Sequence, residues 1–141
     1  MNDLTIRVFG NMDRDTVIDL WIECGLTVPG NNPVKDIERK MADSPDLFFV
    51  GEINGELVAS CMSGYDGHRG WIYYLAVKPS LRKRSIARNM MKHAEEALEK
   101  LGCPKIDLMV RKNNEEVISF YRRIGYSEDS VVVLSRRLYE D

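Results

Sequence analysis

The chain has 141 residues, of which 44% are hydrophobic and 30% charged, and its net charge is −2. These values are typical of one compact globular domain, here residues 1–141, with no general attraction to nucleic acid or to an anionic membrane. Its apolar runs are far shorter than the ~20 residues of a membrane-spanning helix, and the N-terminus lacks a signal-peptide pattern. The three cysteines, Cys24, Cys61 and Cys103, lack metal-like spacing and indicate free thiols in a reducing cytoplasm.

The first half of the chain predicts four strands and two helices. Alternating or continuous apolar residues place the strands at 4–9, 46–53, 56–65 and 71–77. Asn54-Gly55, between the second and third strands, is a strong hairpin signal. The helices begin at Asp13 and at Asn32-Pro33, which are typical capping positions. Their inward-facing residues are Val17, Ile18, Trp21, Ile22, Val34, Ile37 and Met41.

The second half predicts two further helices and two further strands. From about Leu81 the apolar period becomes 3.6, and Gly102 ends this long helix. Its apolar stripe consists of Ile86, Met90, Met91, Ala94, Ala97, Leu98 and Leu101. Strands follow at 105–110 and 131–138, on either side of a helix capped by Asn113 or Asn114. This order predicts an α/β (α+β) fold, with helices on both faces of a mixed sheet.

The joint between the fourth strand and the long helix carries the chemical signal. A helix N-terminus presents unpaired backbone N–H groups and a partial positive charge, which suit a phosphate or pyrophosphate. Arg82, Lys83 and Arg84 add three full charges there. A solvated basic patch is the alternative interpretation. Basic side chains oppose the helix dipole at this end, however, so the pattern favours an anionic ligand.

Two sequence blocks resemble those of the GNAT acetyltransferase superfamily, in particular its small bacterial members of the YpeA type. The first, V-x-P-x-x-[QR]-x-x-G-x-[GA], matches at Val77, Pro79, Arg82 and Ala87 and departs at Ser85, where relatives usually carry glycine. Residues 114–126 are similar to the second, N-x-x-A-x-x-[FL]-Y-x-x-x-G-[FY]. The two blocks occur in the family's order and on the expected elements.

The resemblance implies a GNAT fold that binds acetyl-CoA. Such a fold has about six to seven strands and four helices, and its fourth and fifth strands splay apart around the pantetheine arm. Backbone groups at the end of the fourth strand would bind the pantetheine amides, and the amides of the following turn would hold the pyrophosphate. The implied cofactor residues are Leu75, Ala76, Val77, Arg82, Lys83, Arg84, Ser85, Ile86, Ala87 and Asn114.

The implied reaction is direct acetyl transfer to an amine, either a small molecule or a protein N-terminus. A backbone N–H near Ala76 would stabilise the oxyanion, and Tyr121 would protonate the departing thiolate. Periodicity alone favours Tyr121 as a core residue of its helix, and the resemblance is what favours the catalytic role. A non-catalytic acetyl-CoA-binding module is the rival function, since Ser85 replaces glycine and no base is evident. Nucleic-acid binding through residues 82–88 is a weaker alternative.

The general base stays open. The fourth strand carries no carboxylate, so Glu52 or a water chain beside Tyr73 or Tyr74 is considered. His68 lies in a turn about 23 Å from Leu75 at ~3.3 Å per residue, and His93 is expected to face solvent. Two scattered histidines without paired cysteines support no metal site.

The acceptor is expected to bind near the first two helices and their loop. Asn31 in that loop, Glu38 on the second helix and Tyr73 on the fourth strand are the candidate residues. Asp36 and Glu38 would attract a cationic amine, although acidic residues also suit any helix start. The last strand could pair across a homodimer.

Overall fold

The structure is a computed structural model that describes residues 3–83 and 85–141. The chain divides into two compact units, the first ending at Leu108 and the second beginning at Met109. In the first unit the elements are β1 (Leu4–Val8), α1 (Arg14–Glu23), α2 (Pro33–Asp43), β2 (Phe48–Ile53), β3 (Glu56–Tyr65), β4 (Gly70–Val77), α3 (Ile86–Lys100) and β5 (Ile106–Leu108). The second unit contains α4 (Glu115–Arg123). None of the described helices is both long and apolar enough to cross a membrane.

The sheet has five strands in the order β1-β2-β3-β4-β5. The first four are antiparallel neighbours, whereas β4 and β5 are parallel and are joined through α3. The turn between β2 and β3 confirms the predicted hairpin. Asn54 and Gly55 have φ values of 52° and 79°, as a type I′ turn requires.

The two faces of the sheet are covered by different helices. Phe48 and Val50 of β2 share a buried cluster with Trp21 of α1. Gly51 points to the other face, where a Cβ atom would lie 3.0 Å from Met90 Sδ of α3. Because alternate strand residues point to opposite faces, α1 packs on one side and α3 on the other. The prediction of a mixed sheet covered on both faces is therefore confirmed.

The helices differ from the predictions mainly at their ends. The α3 helix begins at Ile86 rather than near Leu81, because a short 3₁₀ turn at Pro79–Leu81 and positive φ values at Lys83 and Ser85 interrupt the helical path. Leu101 lies past the helix end and is 55% exposed, so its predicted place in the stripe is wrong. In α1, Leu20 is buried in place of Ile22, which is 57% exposed.

The predicted final strand at 131–138 is also wrong, and so is the count of six to seven strands. The structure assigns no strand after β5 within the described residues. Val132 and Leu134 are 82% and 88% exposed. An apolar run supplies strand propensity, but a strand also needs ladder hydrogen bonds to a neighbour.

Candidate active site

The end of β4 extends beyond the end of its parallel neighbour. The ladder between β4 and β5 stops at the pair Ile72 and Leu108. On the other edge of β4, Lys78 N donates to Val58 O over 2.8 Å. Since backbone groups alternate in direction along an antiparallel ladder, Ala76 turns towards β3, and Leu75 and Val77 turn away from it. The carbonyl of Val77 accepts from Cys24 Sγ at 3.3 Å.

A β-bulge lies just before this free edge. Ser60 pairs with Ala76 and Met62 pairs with Tyr73, so a single residue of β3 faces both Tyr74 and Leu75. Tyr74 has a φ of 52°, which is uncommon for an aromatic residue. Such bulges disrupt the ladder locally and redirect the backbone, often beside active sites. The sequence gives no sign of this bulge because it contains no glycine there.

The side chain and carbonyl of Tyr74 are both held by the first two helices and β3. Its ring stacks on Trp21 at 3.7 Å between centroids with planes 8° apart. Its hydroxyl donates to Asp36 Oδ2 at 2.7 Å. Its carbonyl accepts from Ser60 Oγ at 2.8 Å, and Ser60 Oγ in turn accepts from Trp21 Nε1 at 2.9 Å. The bulge is thus a fixed part of the fold.

The turn after β4 ends in an open helix start. Ser85, the N-cap residue of α3, has a φ of 64° and makes no side-chain capping hydrogen bond, and the first turn contains no acidic residue. The first helical bond runs from Asn89 N to Ser85 O at 3.0 Å. Ile86, Ala87 and Arg88 therefore have N–H groups without partners inside the helix. Arg82 and Lys83 are exposed beside this start, whereas Arg84 lies outside the described residues.

A cleft of about 820 Å³ lies elsewhere, between β1 and α3. It shares Ser85 and Ile86 with the start of α3, and its far end is lined by Lys92, His93 and Glu96. None of its lining residues belongs to β4. The cleft is therefore separate from the bulge, and no motif in the sequence predicted it.

The candidate bases have other roles in the structure. Glu52 Oε1 accepts from Arg7 Nε at 3.0 Å, and Arg7 also pairs with Asp13 at 2.7 Å. The hydrogen bond from Arg7 holds the pKa of the Asp13 carboxyl below its usual value. His68 lies in the turn after β3. His93 is half-buried, with its ring edge-on to Phe49 at 4.6 Å, and it lines the cleft beside α3, so it faces solvent only in part.

The candidate acceptor residues differ in exposure. Asn31 and Glu38 are exposed, and Tyr73 is 45% exposed. Burial raises the pKa of the Tyr73 hydroxyl, with a smaller contribution from Asp66. Asp36 is bound to Tyr74 and to Arg39 at 3.0 Å, which leaves Glu38 as the more accessible of these two carboxylates.

The second unit contains the other sequence block. Asn114 Oδ1 accepts from Val117 N at 3.3 Å and caps α4, which decides between the two predicted capping residues. Tyr121 is buried, with edge-on ring contacts to Phe120 at 5.1 Å and Tyr126 at 5.7 Å. Among the described residues of both units, no group of three or more His, Cys, Asp or Glu side chains could hold a metal ion.

Comparisons with known proteins agree with this geometry. Residues 14–126 match the model of the acetyltransferase (GNAT) family. A protein named Acetyltransferase SG1711, from Sodalis glossinidius (strain morsitans), is 51% identical over 139 residues, which are 98% of each chain.

Two solved structures share the fold. The aminoglycoside N-acetyltransferase AAC(6')-Iy, in complex with the bisubstrate analogue CoA-S-monomethyl-acetylneamine, has a TM-score of 0.79 at 15% identity, and the match covers 96% of this chain and 98% of that one. The NatC complex bound to Gag peptide and CoA has a TM-score of 0.78 at 18% identity, with coverages of 91% and 87%. The family model covers most of the chain, and a curated relative is 51% identical to it over nearly its whole length. The chain therefore belongs to the GNAT acetyltransferase family.

Proposed function

We propose that this chain transfers the acetyl group of acetyl-CoA directly to a primary amine. The observation that carries the proposal is the sequence of three features along the chain: the bulge at Tyr74, the edge of β4 beyond its ladder with β5, and the uncapped start of α3. An extended ligand with an anionic end matches these features. Its amides add to the strand edge and its pyrophosphate meets the helix N-terminus.

The proposed cofactor site has two parts, the edge of β4 and the start of α3. Leu75 and Val77 present backbone groups away from β3 and are the proposed partners of the pantetheine amides. The amides from Ser85 to Ala87 are the proposed pyrophosphate donors, with Arg82, Lys83 and Arg84 supplying charge. From the family block, Asn114 is proposed as a further cofactor contact.

The chemistry forms a C–N bond and breaks the C–S bond of the thioester. A neutral amine attacks the acetyl carbonyl, whose oxygen gains negative charge and needs a hydrogen-bond donor. The register turns the Ala76 N–H into the β3 ladder, so we assign this role to the N–H of Leu75. The proton of the incoming amine passes to water, since Glu52 is held by Arg7. The thiolate takes its proton from Tyr121, on the strength of the motif.

Two acceptor classes remain within the proposal. AAC(6')-Iy in its solved complex holds an analogue that joins CoA to an aminoglycoside, whereas NatC holds a peptide. A small cationic amine would use Glu38, Asn31 and Tyr73 as contacts. A protein N-terminus would need the same residues to line an open channel.

Binding and turnover assays separate this proposal from a non-catalytic acetyl-CoA-binding module. Isothermal titration measures acetyl-CoA binding, and a panel of amines and N-terminal peptides measures transfer. We expect binding together with turnover on at least one acceptor. Tight binding without turnover on any acceptor would favour the module, and absence of binding would contradict both functions.

The role of Tyr121 is tested by Tyr121→Phe. Loss of a general acid should lower kcat by about 100-fold or more while leaving the Kd for acetyl-CoA nearly unchanged. Tyr126→Phe is the matched control, because its ring contacts Tyr121 and the family block accepts phenylalanine at that position. Equal losses of kcat and affinity in Tyr121→Phe would mean that Tyr121 is structural.

A further inference from the structure

Ser60 supplies the hydrogen bond that the bulge removes from the ladder. It is fully buried on β3, and its hydroxyl donates to the carbonyl of Tyr74 at 2.8 Å. A bulged residue loses its regular backbone partner, and a buried carbonyl without a partner costs about 1–3 kcal/mol. The Ser60 hydroxyl meets this need from across the sheet.

The same hydroxyl is itself oriented by Trp21. Trp21 is fully buried and its Nε1 donates to Ser60 Oγ at 2.9 Å, so the single hydroxyl proton of Ser60 is directed to Tyr74. The Trp21 ring also stacks on the Tyr74 ring. Trp21 and Ser60 thus contact each other, and together they hold the ring and the carbonyl of Tyr74.

The direction of the Tyr74 carbonyl determines the direction of the next N–H. The carbonyl of Tyr74 and the N–H of Leu75 belong to one planar peptide group, and the described chain has no cis peptide bond. In a trans peptide these two groups point in opposite directions. With the carbonyl fixed towards Ser60 on β3, the Leu75 N–H must point away from β3, towards the free edge of β4.

We propose that Ser60, oriented by Trp21, is a positioning residue that aims the Leu75 N–H at the acetyl carbonyl oxygen. This inference rests on the proposed acetyl transfer. Without the Ser60 hydroxyl, the peptide between Tyr74 and Leu75 loses the hydrogen bond that fixes its rotation about the Tyr74 Cα–C bond. A donor displaced by about 1 Å loses much of its effect on the rate.

The test measures the acetyl carbonyl itself and needs no identified acceptor. Isotope-edited infrared spectroscopy reads the carbonyl stretch of acetyl-CoA labelled at the acetyl carbon and bound to the protein at saturation. A hydrogen bond lowers this frequency relative to free acetyl-CoA. We expect a lowered frequency in the native chain and a return towards the free value in Ser60→Ala, with a Kd that changes by less than about threefold.

Ser63→Ala is the matched control. Ser63 is also a buried serine of β3, and its hydroxyl donates to the carbonyl of Leu47 at 2.7 Å, away from the bulge. Both variants lose one buried hydroxyl, and Ser60→Ala should lose more stability because it also removes the bond from Trp21 Nε1, but only Ser60→Ala should change the carbonyl frequency. If Ser60→Ala does not fold, Ser60→Cys keeps the shape with a weaker donor and should give an intermediate frequency.

The possible outcomes separate this inference from the proposed function. Absence of acetyl-CoA binding to the native chain would contradict the proposed function. A bound carbonyl with an unshifted frequency would overturn the Leu75 assignment and the role of Ser60 while leaving binding intact. A lowered frequency that is identical in the native chain and in the Ser60 variants would overturn the role of Ser60 alone.

Discussion

Tyr74 and Ser85 both have left-handed backbones, but the protein surrounds them very differently. Their φ values are 52° and 64°, and neither is glycine. Tyr74 has a stacked ring, a hydroxyl bound to Asp36 and a carbonyl bound to Ser60. Ser85 is exposed and its side chain makes no capping hydrogen bond.

On the proposed acetyl-CoA site, this difference supports a positioning role for the Tyr74 backbone and a binding role for the helix start at Ser85. A left-handed conformation costs a residue with a Cβ atom about 1–2 kcal/mol. At Tyr74 the protein's own contacts offset this cost, so the bulge keeps its shape whether or not a ligand is bound. At Ser85 no capping hydrogen bond from its own side chain offsets the conformational cost. The unpaired N–H groups of this helix start are suited to binding an anion.

The largest effect should come from removing the Tyr74 side chain. Tyr74→Ala loses the stacking on Trp21 and the bond to Asp36, and should lower the free energy of unfolding by about 3 kcal/mol. Ser85→Ala should change it by no more than about 0.5 kcal/mol. Urea unfolding followed by circular dichroism measures both. Similar losses in the two variants would remove the proposed difference between the sites.

A smaller effect isolates the hydroxyl of Tyr74. Tyr74→Phe keeps the stacked ring but removes the bond to the Asp36 carboxylate, and should lower the free energy of unfolding by about 1–2 kcal/mol. Tyr65→Phe is the control, because its exposed hydroxyl makes two long contacts with backbone carbonyls, Gly67 O at 3.3 Å and Gly102 O at 3.5 Å, and none with a carboxylate. If both variants lost equally little stability, the Asp36 bond would not support the bulge.

The sequence predicted features that depend on neighbouring residues better than features that depend on distant segments. Asn54-Gly55 specified the hairpin between β2 and β3 because those two residues tolerate positive φ. The bulge could not be predicted, since Tyr73-Tyr74 is ordinary strand sequence and the bulge depends on Trp21 and Ser60 from distant segments. The start of α3 was placed too early for a similar reason. Lys83 and Ser85 carry no local signal for positive φ, and only the family's usual glycine at the position of Ser85 indicated it.

The smallest effect concerns the backbone of Ser85. Glycine adopts positive φ without strain, although it also increases the entropy of the unfolded chain. Ser85→Gly should therefore raise the free energy of unfolding by about 0.5–1 kcal/mol, measured by urea unfolding. The Kd for acetyl-CoA, measured by isothermal titration, should stay the same or decrease by a fewfold, because the proposed pyrophosphate donors are backbone amides that glycine retains.

Asn54→Gly is the matched control for this last change. Asn54 also has a positive φ, of 52°, but lies in the hairpin between β2 and β3. Asparagine tolerates positive φ better than serine does, so Asn54→Gly should stabilise the chain less than Ser85→Gly, and it should not change the affinity for acetyl-CoA. If Ser85→Gly instead weakened binding tenfold or more, the Ser85 hydroxyl itself would contact the cofactor. The open helix start would then bind through a side chain as well as through its backbone.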